Sequence, residues 1–377
     1  MVDSIDVAAE SAHRGMLAPS GVDTMIREGD LLDGKYHMLQ PVGSGGMGAV
    51  WLAEKIATLE RFAIKFIIEQ AVGDDSYCAR FTREVAVLRG LRHPHIVDVY
   101  DWSLPERGSG EAGYVVMEYL DGETLQQVLR REGRLPVPTV SRIMLQVLDG
   151  VAAVHAMGIV HRDLSPSNIF LVAGPSTAPR VKILDFGLAK GTTGGTADGA
   201  VTQPGSVLGR AAYAAPEIFL ERELDARADI FACGMIMYRA LAGRFPYKET
   251  KVDLVWAERY ADRTRPDIPH PPPSRFERGI PEQIEQVVMR AIRKRPGERY
   301  ATAEEMQKHL LAADARLPAP LRAAGAGPRH ISAPASRPEP VAAAVDDTLV
   351  SDPAAFAPPT ATDAAGCGVP EPTGAEA

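Results

Sequence analysis

The hydrophobic periodicity of the chain changes part-way along, and this change most constrains its fold. Between residues 36 and 120, β-branched and aromatic runs broken by turn residues predict strands over 36–42, 49–54, 61–68, 96–103 and 114–118, with one helix over 76–90. Residues 124–312 instead show helical spacing, most clearly over 138–157. A β-rich region followed by a helical one predicts an α+β architecture with a small β lobe and a larger helical lobe. A cleft between two such lobes is a common ligand site.

The two ends of the chain differ in composition from this middle part. Residues 1–35 show no clear periodicity and are predicted to form a flexible N-terminal segment. Residues 316–377 are dominated by Ala and Pro, which bury too little apolar surface to offset the entropy of the chain. We therefore predict a disordered tail there, which could dock a partner. The folded domain would span 36–315, with the β lobe over 36–119 and the helical lobe over 120–315.

Charge and cysteine content argue against several classes of function. The chain carries 41 Lys and Arg against 49 Asp and Glu, a net charge of −8, whereas nucleic-acid-binding domains usually have a basic footprint. Its cysteines, Cys78, Cys233 and Cys367, are far apart and form no CxxC pair, so neither a disulfide framework nor a zinc site is predicted. The most apolar stretch, Ile230 to Leu241, contains Arg239 and falls short of the roughly 18 residues of a membrane span. We expect a cytoplasmic protein with no nucleic-acid partner and no membrane span.

A glycine-rich run fits the GxGxxG pattern: Gly43-Ser44-Gly45-Gly46-Met47-Gly48. In a dinucleotide-binding fold a helix would follow this run, but here a predicted strand follows. The glycines are therefore expected in a β-hairpin, where small residues let backbone N–H groups approach a phosphate closely. A glycine-rich turn without a ligand is the alternative that this motif leaves open by itself.

A single lysine, Lys65, lies in an otherwise apolar predicted strand. Alternation places Lys65 and Ala63 on one face of the strand, while the opposite face is wholly apolar. A charge in such a strand needs an anionic partner or ligand. Glu84, on the predicted helix, is a suitable partner for Lys65. The alternative for Glu84 is a surface pair with Arg80, one helical turn away.

The most specific run in the sequence is His161-Arg162-Asp163-Leu164-Ser165-Pro166-Ser167-Asn168. Asp185-Phe186-Gly187 and then Ala215-Pro216-Glu217 follow it along the chain. Two Asp and one Asn on loops supply a base and the oxygen ligands that hard divalent cations prefer. The joint occurrence of these runs in this order is far more specific than any single triplet.

In these motifs the chain resembles the protein kinases, and more narrowly the bacterial serine/threonine kinases of eukaryotic type. The resemblance covers about 36–312. It includes Asp229, which matches the long central helix of the larger lobe, and Arg299, which matches the Arg that pairs with Glu217. It implies a two-lobed protein-kinase fold. It also implies an enzyme that transfers the γ-phosphate of ATP to Ser and Thr hydroxyls of protein substrates.

The resemblance further implies roles for individual residues. Lys65, held by Glu84, would bind the ATP phosphates, and Asp163 would accept or orient the proton of the substrate hydroxyl. Asn168 and Asp185 would hold Mg²⁺, or Mn²⁺ in its place. The residues implied in ATP binding are Val42, Gly43, Ser44, Gly45, Gly46, Met47, Gly48, Val50, Ala63, Lys65, Glu118, Leu120 and Phe170, with Met117 as the gatekeeper.

The chain departs from the family pattern at two positions. Ser165 stands where these kinases usually have a Lys that contacts the γ-phosphate, and Arg210 stands where they usually have a Thr. These departures put the rate and the hydroxyl specificity in doubt. We hypothesise that Arg210 reaches toward Asp163 and the γ-phosphate in place of the missing lysine. The alternative is that Arg210 points to solvent or binds an acidic substrate.

Regulation and a rival function also follow from the resemblance. Thr202 and Ser206 are candidate sites of autophosphorylation in the activation segment, where a phosphate could order the chain by pairing with Arg162. The rival is a pseudokinase or scaffold that uses the same fold for binding alone. The Lys and the two Asp residues whose loss usually marks such proteins are all present in this sequence.

Overall fold

The computed structural model of the chain describes eight stretches of residues: 26–45, 48–67, 75–104, 112–174, 179–185, 212–220, 225–246 and 270–317. Several expectations fall outside these residues. They concern residues 1–25, the tail from 318 onward, Thr202, Ser206 and Arg210.

The smaller lobe is built on a six-stranded antiparallel sheet with the strand order β1-β2-β3-β4-β6-β5. Its strands are β1 Leu31–Leu32, β2 Tyr36–Gly45, β3 Gly48–Lys55, β4 Arg61–Ile67, β5 Val99–Ser103 and β6 Gly113–Glu118. The five predicted strands of this region are thus confirmed. The prediction for β5 began three residues too early, because Ile96 instead forms an isolated parallel bridge with Ile183 of the larger lobe.

The described residues include an edge strand that lies before the predicted domain boundary at residue 36. Leu31 and Leu32 pair with His37 and Tyr36 as an edge strand, within the segment that was expected to be flexible. The Tyr114 hydroxyl donates a hydrogen bond to the Asp33 carboxylate. Burial, reinforced by that carboxylate, raises the pKa of Tyr114 above its ordinary value.

The predicted alternation in β4 is confirmed. Phe62, Ile64 and Phe66 are buried in a core on one side of the sheet. On the other side, Lys65 lies opposite Val50 of β3 in the strand register. Facing partners in an antiparallel pair project to the same side, so this side of the sheet carries the lysine charge.

One helix, α1 Asp75–Gly90, accompanies the sheet, as predicted. Its buried residues Phe81, Val85 and Leu88 recur with helical spacing. They belong to a core that continues into the larger lobe through residues such as Val147 and Ile183. The two lobes therefore share one apolar core.

The larger lobe is mainly helical, which confirms the α+β prediction. Its helices are α2 Leu125–Glu132, α3 Val137–His155, α4 Arg227–Ala242, α5 Glu282–Ala291 and α6 Ala303–Ala315. This lobe also contains a second sheet that the sequence patterns did not predict, with three strands: β7 Gly122–Thr124, β8 Ile169–Val172 and β9 Arg180–Ile183. These strands have only three or four residues, too short to give a recognisable period-two pattern.

The start of α6 is capped by a side chain. Thr302 accepts the Glu305 backbone N–H at 3.2 Å at the start of α6. The Glu305 carboxylate accepts the N–H of Ala301 at 2.7 Å. This hydrogen bond, with help from Arg290, holds the pKa of Glu305 below its usual range.

Helix α3 is the one helix of the described residues with the length and hydropathy of a membrane span. Of its most apolar 18-residue window, 72% is buried inside the protein. Packing in the core of the larger lobe accounts for this apolar sequence.

Two glycines allow close packing around the centre. A Cβ at Gly150 of α3 would lie 2.8 Å from Ile183 Cδ1 and 3.1 Å from the His95 carbonyl oxygen. A Cβ at Gly234 of α4 would lie 2.7 Å from Ala291 Cβ. Real side chains essentially never approach so closely, so α3 reaches β9, and α4 reaches α5, only through glycine.

A buried ion pair ties the segment after α5 to residue 217. Arg299 is 3% exposed, and its guanidinium binds the Glu217 carboxylate through two hydrogen bonds of 2.6 and 2.8 Å. Its remaining three N–H groups donate to the carbonyl oxygens of Arg293, Arg227 and Lys294. All five guanidinium donors are therefore used, which is the condition under which a buried arginine is tolerated.

We expect Arg299→Leu to lower the free energy of unfolding by about 3–5 kcal/mol, because it leaves the Glu217 carboxylate as an uncompensated buried charge. Arg295→Leu is the matched control. Its guanidinium makes an exposed contact with Glu298 at 3.4 Å, which should contribute at most about 1 kcal/mol. Urea denaturation of both variants measures the difference, and equal losses would contradict this account.

Candidate active site

The start of the loop of residues 161–168 is fixed by hydrogen bonds to one buried carboxylate. Asp229, at the start of α4, is 1% exposed. It accepts the backbone N–H of His161 at 2.7 Å and that of Arg162 at 2.9 Å. It also lies 2.8 Å from His155 Nε2, at the end of α3. Because a carboxylate can only accept, His155 donates from Nε2.

Two residues in and near this loop have a strained backbone. Arg162 and Asp185 adopt φ values of 61° and 49°, in the left-handed region that non-glycine residues avoid. Such residues cost of order 1–3 kcal/mol each and persist where the surroundings hold them. The bond from the Arg162 amide to Asp229 is one such constraint.

The His161 side chain links loop 161–168 to Leu184, the residue directly after β9. The imidazole is fully buried, and its Nε2 lies 3.0 Å from the Leu184 carbonyl oxygen. Donation from Nε2 leaves Nδ1 to accept the Asp163 amide at 3.3 Å. In addition, the Leu184 N–H donates to the Asn168 carbonyl oxygen at 2.8 Å. These bonds give His161 a structural role in the loop.

Three of the predicted polar residues meet on this framework. Asp163 is 7% exposed, and Asn168 Nδ2 donates to its carbonyl oxygen at 2.8 Å. Asp185 follows β9 directly after Leu184, whose amide is bonded to Asn168. The structure therefore brings Asp163, Asn168 and Asp185 to one end of β9.

Lys65, on β4 of the smaller lobe, extends to Asp185 at this end of β9. Its Nζ lies 2.8 Å from Asp185 Oδ1, and the two side chains are 14% and 26% exposed. The sequence analysis did not anticipate this direct ion pair between the lobes. Glu84, the partner that it proposed, is half-buried on α1, and its pairing with Lys65 stays a prediction.

Among the remaining predicted ligand residues, Val50 and Ala63 lie on the Lys65 side of the smaller lobe's sheet. Ala63 faces Met117, and Val50 faces Lys65, in the strand register. Leu120, beyond the end of β6, packs on the shared core. Phe170 lies in β8 of the larger lobe, opposite Lys182.

The glycine-rich run forms the end of a hairpin, as predicted. Gly43 pairs with Val50, and Gly45 pairs with Gly48, so β2 and β3 are joined at this tip. Val42 is 51% exposed. Gly46 and Met47 lie outside the described residues, as do Phe186 and Gly187.

Comparison with known proteins agrees with this geometry. Residues 36–311 match the model of the protein kinase domain. The chain belongs to the protein kinase family. Its fold is also that of the crystal structure of the Mycobacterium tuberculosis PknI kinase domain, with a TM-score of 0.59 and 25% identity over 76% of this chain and 99% of that one.

Curated relatives within the family are bacterial serine/threonine-protein kinases. The chain is 34% identical to PknB of Mycobacterium leprae over 281 residues, which are 74% of this chain and 43% of PknB. It is 36% identical to Pkn1 of Myxococcus xanthus over 280 residues, which are 74% of this chain and 38% of Pkn1. The chain therefore spans about two fifths of the length of these two relatives.

Ser165 stands at the position where related kinases usually have a lysine, and its hydroxyl pairs with that of Ser167. Ser165 is 2% exposed, and its Oγ lies 2.9 Å from Ser167 Oγ. A hydroxyl pair offers hydrogen bonds but no positive charge. The loop 161–168 therefore brings no ammonium to Asp163 at this position.

We expect Asp229→Asn to loosen loop 161–168, because the amide replaces one accepting oxygen by a donor that faces N–H groups. The free energy of unfolding should fall by about 1–3 kcal/mol, and the amides of His161 and Arg162 should exchange hydrogen faster. Asp225→Asn is the control, since Asp225 is half-exposed, pairs with Arg227, and has its pKa lowered chiefly by that hydrogen bond. Unchanged exchange at His161 and Arg162 would refute this anchoring role.

Proposed function

We propose that the chain is a serine/threonine protein kinase that transfers the γ-phosphate of ATP, with Mg²⁺, to hydroxyl groups of protein substrates. The observation that carries this proposal is the ion pair between Lys65 and Asp185, which joins the lobes beside Asp163 and Asn168. The names of the relatives support the same activity.

The donor set fits a divalent cation. The amide nitrogen of Asn168 is bonded to the Asp163 carbonyl, which leaves the amide oxygen as the ligand atom. Together with the Asp185 carboxylate it forms the oxygen set that Mg²⁺ prefers, and Mn²⁺ could take its place. A bound cation would neutralise charge on the phosphates.

The chain's own groups would then position the reactants. Lys65 would bind phosphate oxygens once they replace Asp185 as its partner, and Glu84 would orient it. Asp163, held by the bonds of its neighbours to Asp229, would accept or orient the proton of the substrate hydroxyl. Loss of charge at any of these groups removes electrostatic stabilisation that water cannot replace.

The nucleotide base would lie between the lobes. Val50 and Ala63 share a side of the sheet with Lys65, and this side would cover the adenine. Phe170 would lie beneath it, and the backbone of Glu118 and Leu120 would bind its edge, with Met117 as the gatekeeper. The glycines of the 43–48 hairpin would cover the phosphates through their N–H groups.

The proposal places the protein in the cytoplasm with protein substrates and no nucleic-acid partner. It is supported by Cys78 and Cys233, which form no disulfide in the described part of the chain, and by the net charge of −8. Autophosphorylation at Thr202 or Ser206 and docking through the tail are parts of the proposal that concern residues outside the described ones.

A module that binds nucleotide without transferring phosphate is the rival proposal. The observation in its favour is Ser165, which brings no charge to the place of the family's lysine. Binding of ATP by the wild type without transfer of phosphate would favour this rival.

We expect Lys65→Met to lower phosphate transfer at least about 100-fold, because it removes the charge that positions the phosphates. Asp163→Asn should have an effect of roughly 10²–10⁴, and Asp185→Asn should also abolish transfer through loss of a metal ligand. The measurement is incorporation of labelled phosphate from ATP with Mg²⁺ into the chain and a generic protein substrate. Lys35→Met, at an exposed lysine of the same lobe, is the control. Near wild-type transfer by Lys65→Met or Asp185→Asn would refute the kinase proposal.

We further propose that Arg210 supplies the charge that Ser165 lacks. Arg210→Thr should then cut turnover at least about tenfold, as expected for a charge near the transferring group, and Ser165→Lys combined with Arg210→Thr should restore most of it. Arg130→Thr, at an exposed arginine of α2, is the control. Wild-type turnover by Arg210→Thr would rule out this compensation.

A further inference from the structure

A second lysine lies in a short apolar strand of the larger lobe and reaches across to the smaller lobe. Lys182 is the third residue of β9 and follows the buried Val181. Its Nζ lies 2.6 Å from the Glu118 carboxylate and donates to the Ile96 carbonyl oxygen at 2.9 Å. The side chains of Lys182 and Glu118 are 12% and 21% exposed.

Glu118 is fixed at its backbone as well as at its side chain. Its carboxylate accepts the Asp98 N–H at 2.9 Å, and its own N–H donates to the Asp98 carbonyl oxygen at 3.0 Å. Glu118 is the last residue of β6, where the chain leaves the smaller lobe. We call the residues 118–121, which connect the lobes, the hinge.

The connecting segment 95–98, between α1 and β5, is bonded to the same strand of the larger lobe. Val97 N–H donates to the Ile183 carbonyl oxygen at 3.0 Å, and Ile183 N–H donates to the His95 carbonyl oxygen at 2.9 Å. Lys182 therefore lies where β9, the connecting segment and the hinge converge. Its side chain binds both the connecting segment, at Ile96, and the hinge, at Glu118.

We propose that Lys182 is a positioning residue for the nucleotide, acting through the side chain of Glu118. This inference rests on the proposed function, in which the backbone of the hinge binds adenine. The Lys182 ammonium holds the Glu118 carboxylate against the Asp98 N–H, and so fixes the backbone of Glu118 in one geometry. We call the set Lys182, Glu118, Ile96 and Asp98 the hinge clamp.

The energetics of the clamp favour a single geometry. Both charged groups are largely removed from water, so each depends on the other for compensation. If the ammonium is removed, the carboxylate gains by turning toward water, and its bond to the Asp98 N–H is then lost. An ordered hinge binds the nucleotide without an ordering cost, whereas a loosened one must first be ordered.

The clamp touches none of the groups that were placed at the reacting phosphate. It should therefore contribute equally to ground-state and transition-state binding, which changes KM and leaves kcat nearly unchanged. We expect Lys182→Met to raise the KM and Kd for ATP about tenfold, equivalent to about 1.4 kcal/mol, with kcat within about twofold of wild type. Lys182→Arg, which keeps the charge, should restore most of the affinity.

The experiment measures ATP binding by calorimetry, steady-state kinetics with Mg²⁺, and hydrogen exchange of the hinge in the ligand-free chain. Lys182→Met should speed exchange of the Glu118 amide. Glu118→Gln combined with Lys182→Met leaves no uncompensated charge, so it tests the clamp even if Lys182→Met folds poorly. Its KM should match that of Glu118→Gln alone, because the two side chains act as one unit.

Asp149→Asn is the matched control. The Asp149 carboxylate lies 3.4 Å from His93 Nε2, near the same connecting segment, but it has no bond to the hinge. Its variant should keep the wild-type KM and hinge exchange. Three results for Lys182→Met would overturn the positioning role while leaving the proposed function intact. They are an unchanged KM, a fall in kcat as large as the rise in KM, and a rise in kcat. A wild type that binds no ATP would overturn the proposed function, and this inference with it.

Discussion

The buried carboxylate of Asp229 is the constraint on which the candidate active site depends. It replaces water as the acceptor for two consecutive backbone amides, one of which belongs to the strained Arg162. Without that acceptor, the left-handed geometry of Arg162 would have no compensation inside an apolar core. Asp163 comes next in the chain, so its position depends on this bond although its own side chain lies elsewhere.

The strand β9 connects this loop to the smaller lobe. Leu184, directly after it, is bonded to His161 and Asn168 of loop 161–168, and Ile183 within it is bonded to the connecting segment 95–98. The close approach of α3 at Gly150 places a rigid helix against the same point. A short strand that the sequence analysis missed thus organises more of the site than the long strands that it found.

Sequence patterns predicted the parts of the fold whose signal is repeated or chemically specific. The alternation around Lys65, the stripe of α1 and the order of the Asp-containing motifs are each carried by several residues at once. The three-residue β7 and the four-residue β8 and β9 carry too few residues for a pattern. Contacts such as Lys65 with Asp185 depend on how the two lobes are placed, which no local spacing encodes.

The clearest missed signal is the similarity of Lys182 to Lys65. Both are single lysines in apolar strands, and the argument that Lys65 needs an anion applies equally to Val181-Lys182-Ile183. The partner could not be read from the sequence, because Glu118 was assigned a role only through its backbone.

The two lysines also differ in what their ion pairs do when the lobes move. Lys182 binds Glu118 at the hinge itself, where a rotation of the lobes displaces atoms least. Lys65 binds Asp185 across the cleft, where the same rotation displaces atoms more. A rotation of the lobes would therefore disturb the pair at the hinge less than the pair across the cleft. In the proposed kinase, this arrangement would keep the nucleotide-binding edge fixed while the groups proposed to bind the phosphates rearrange.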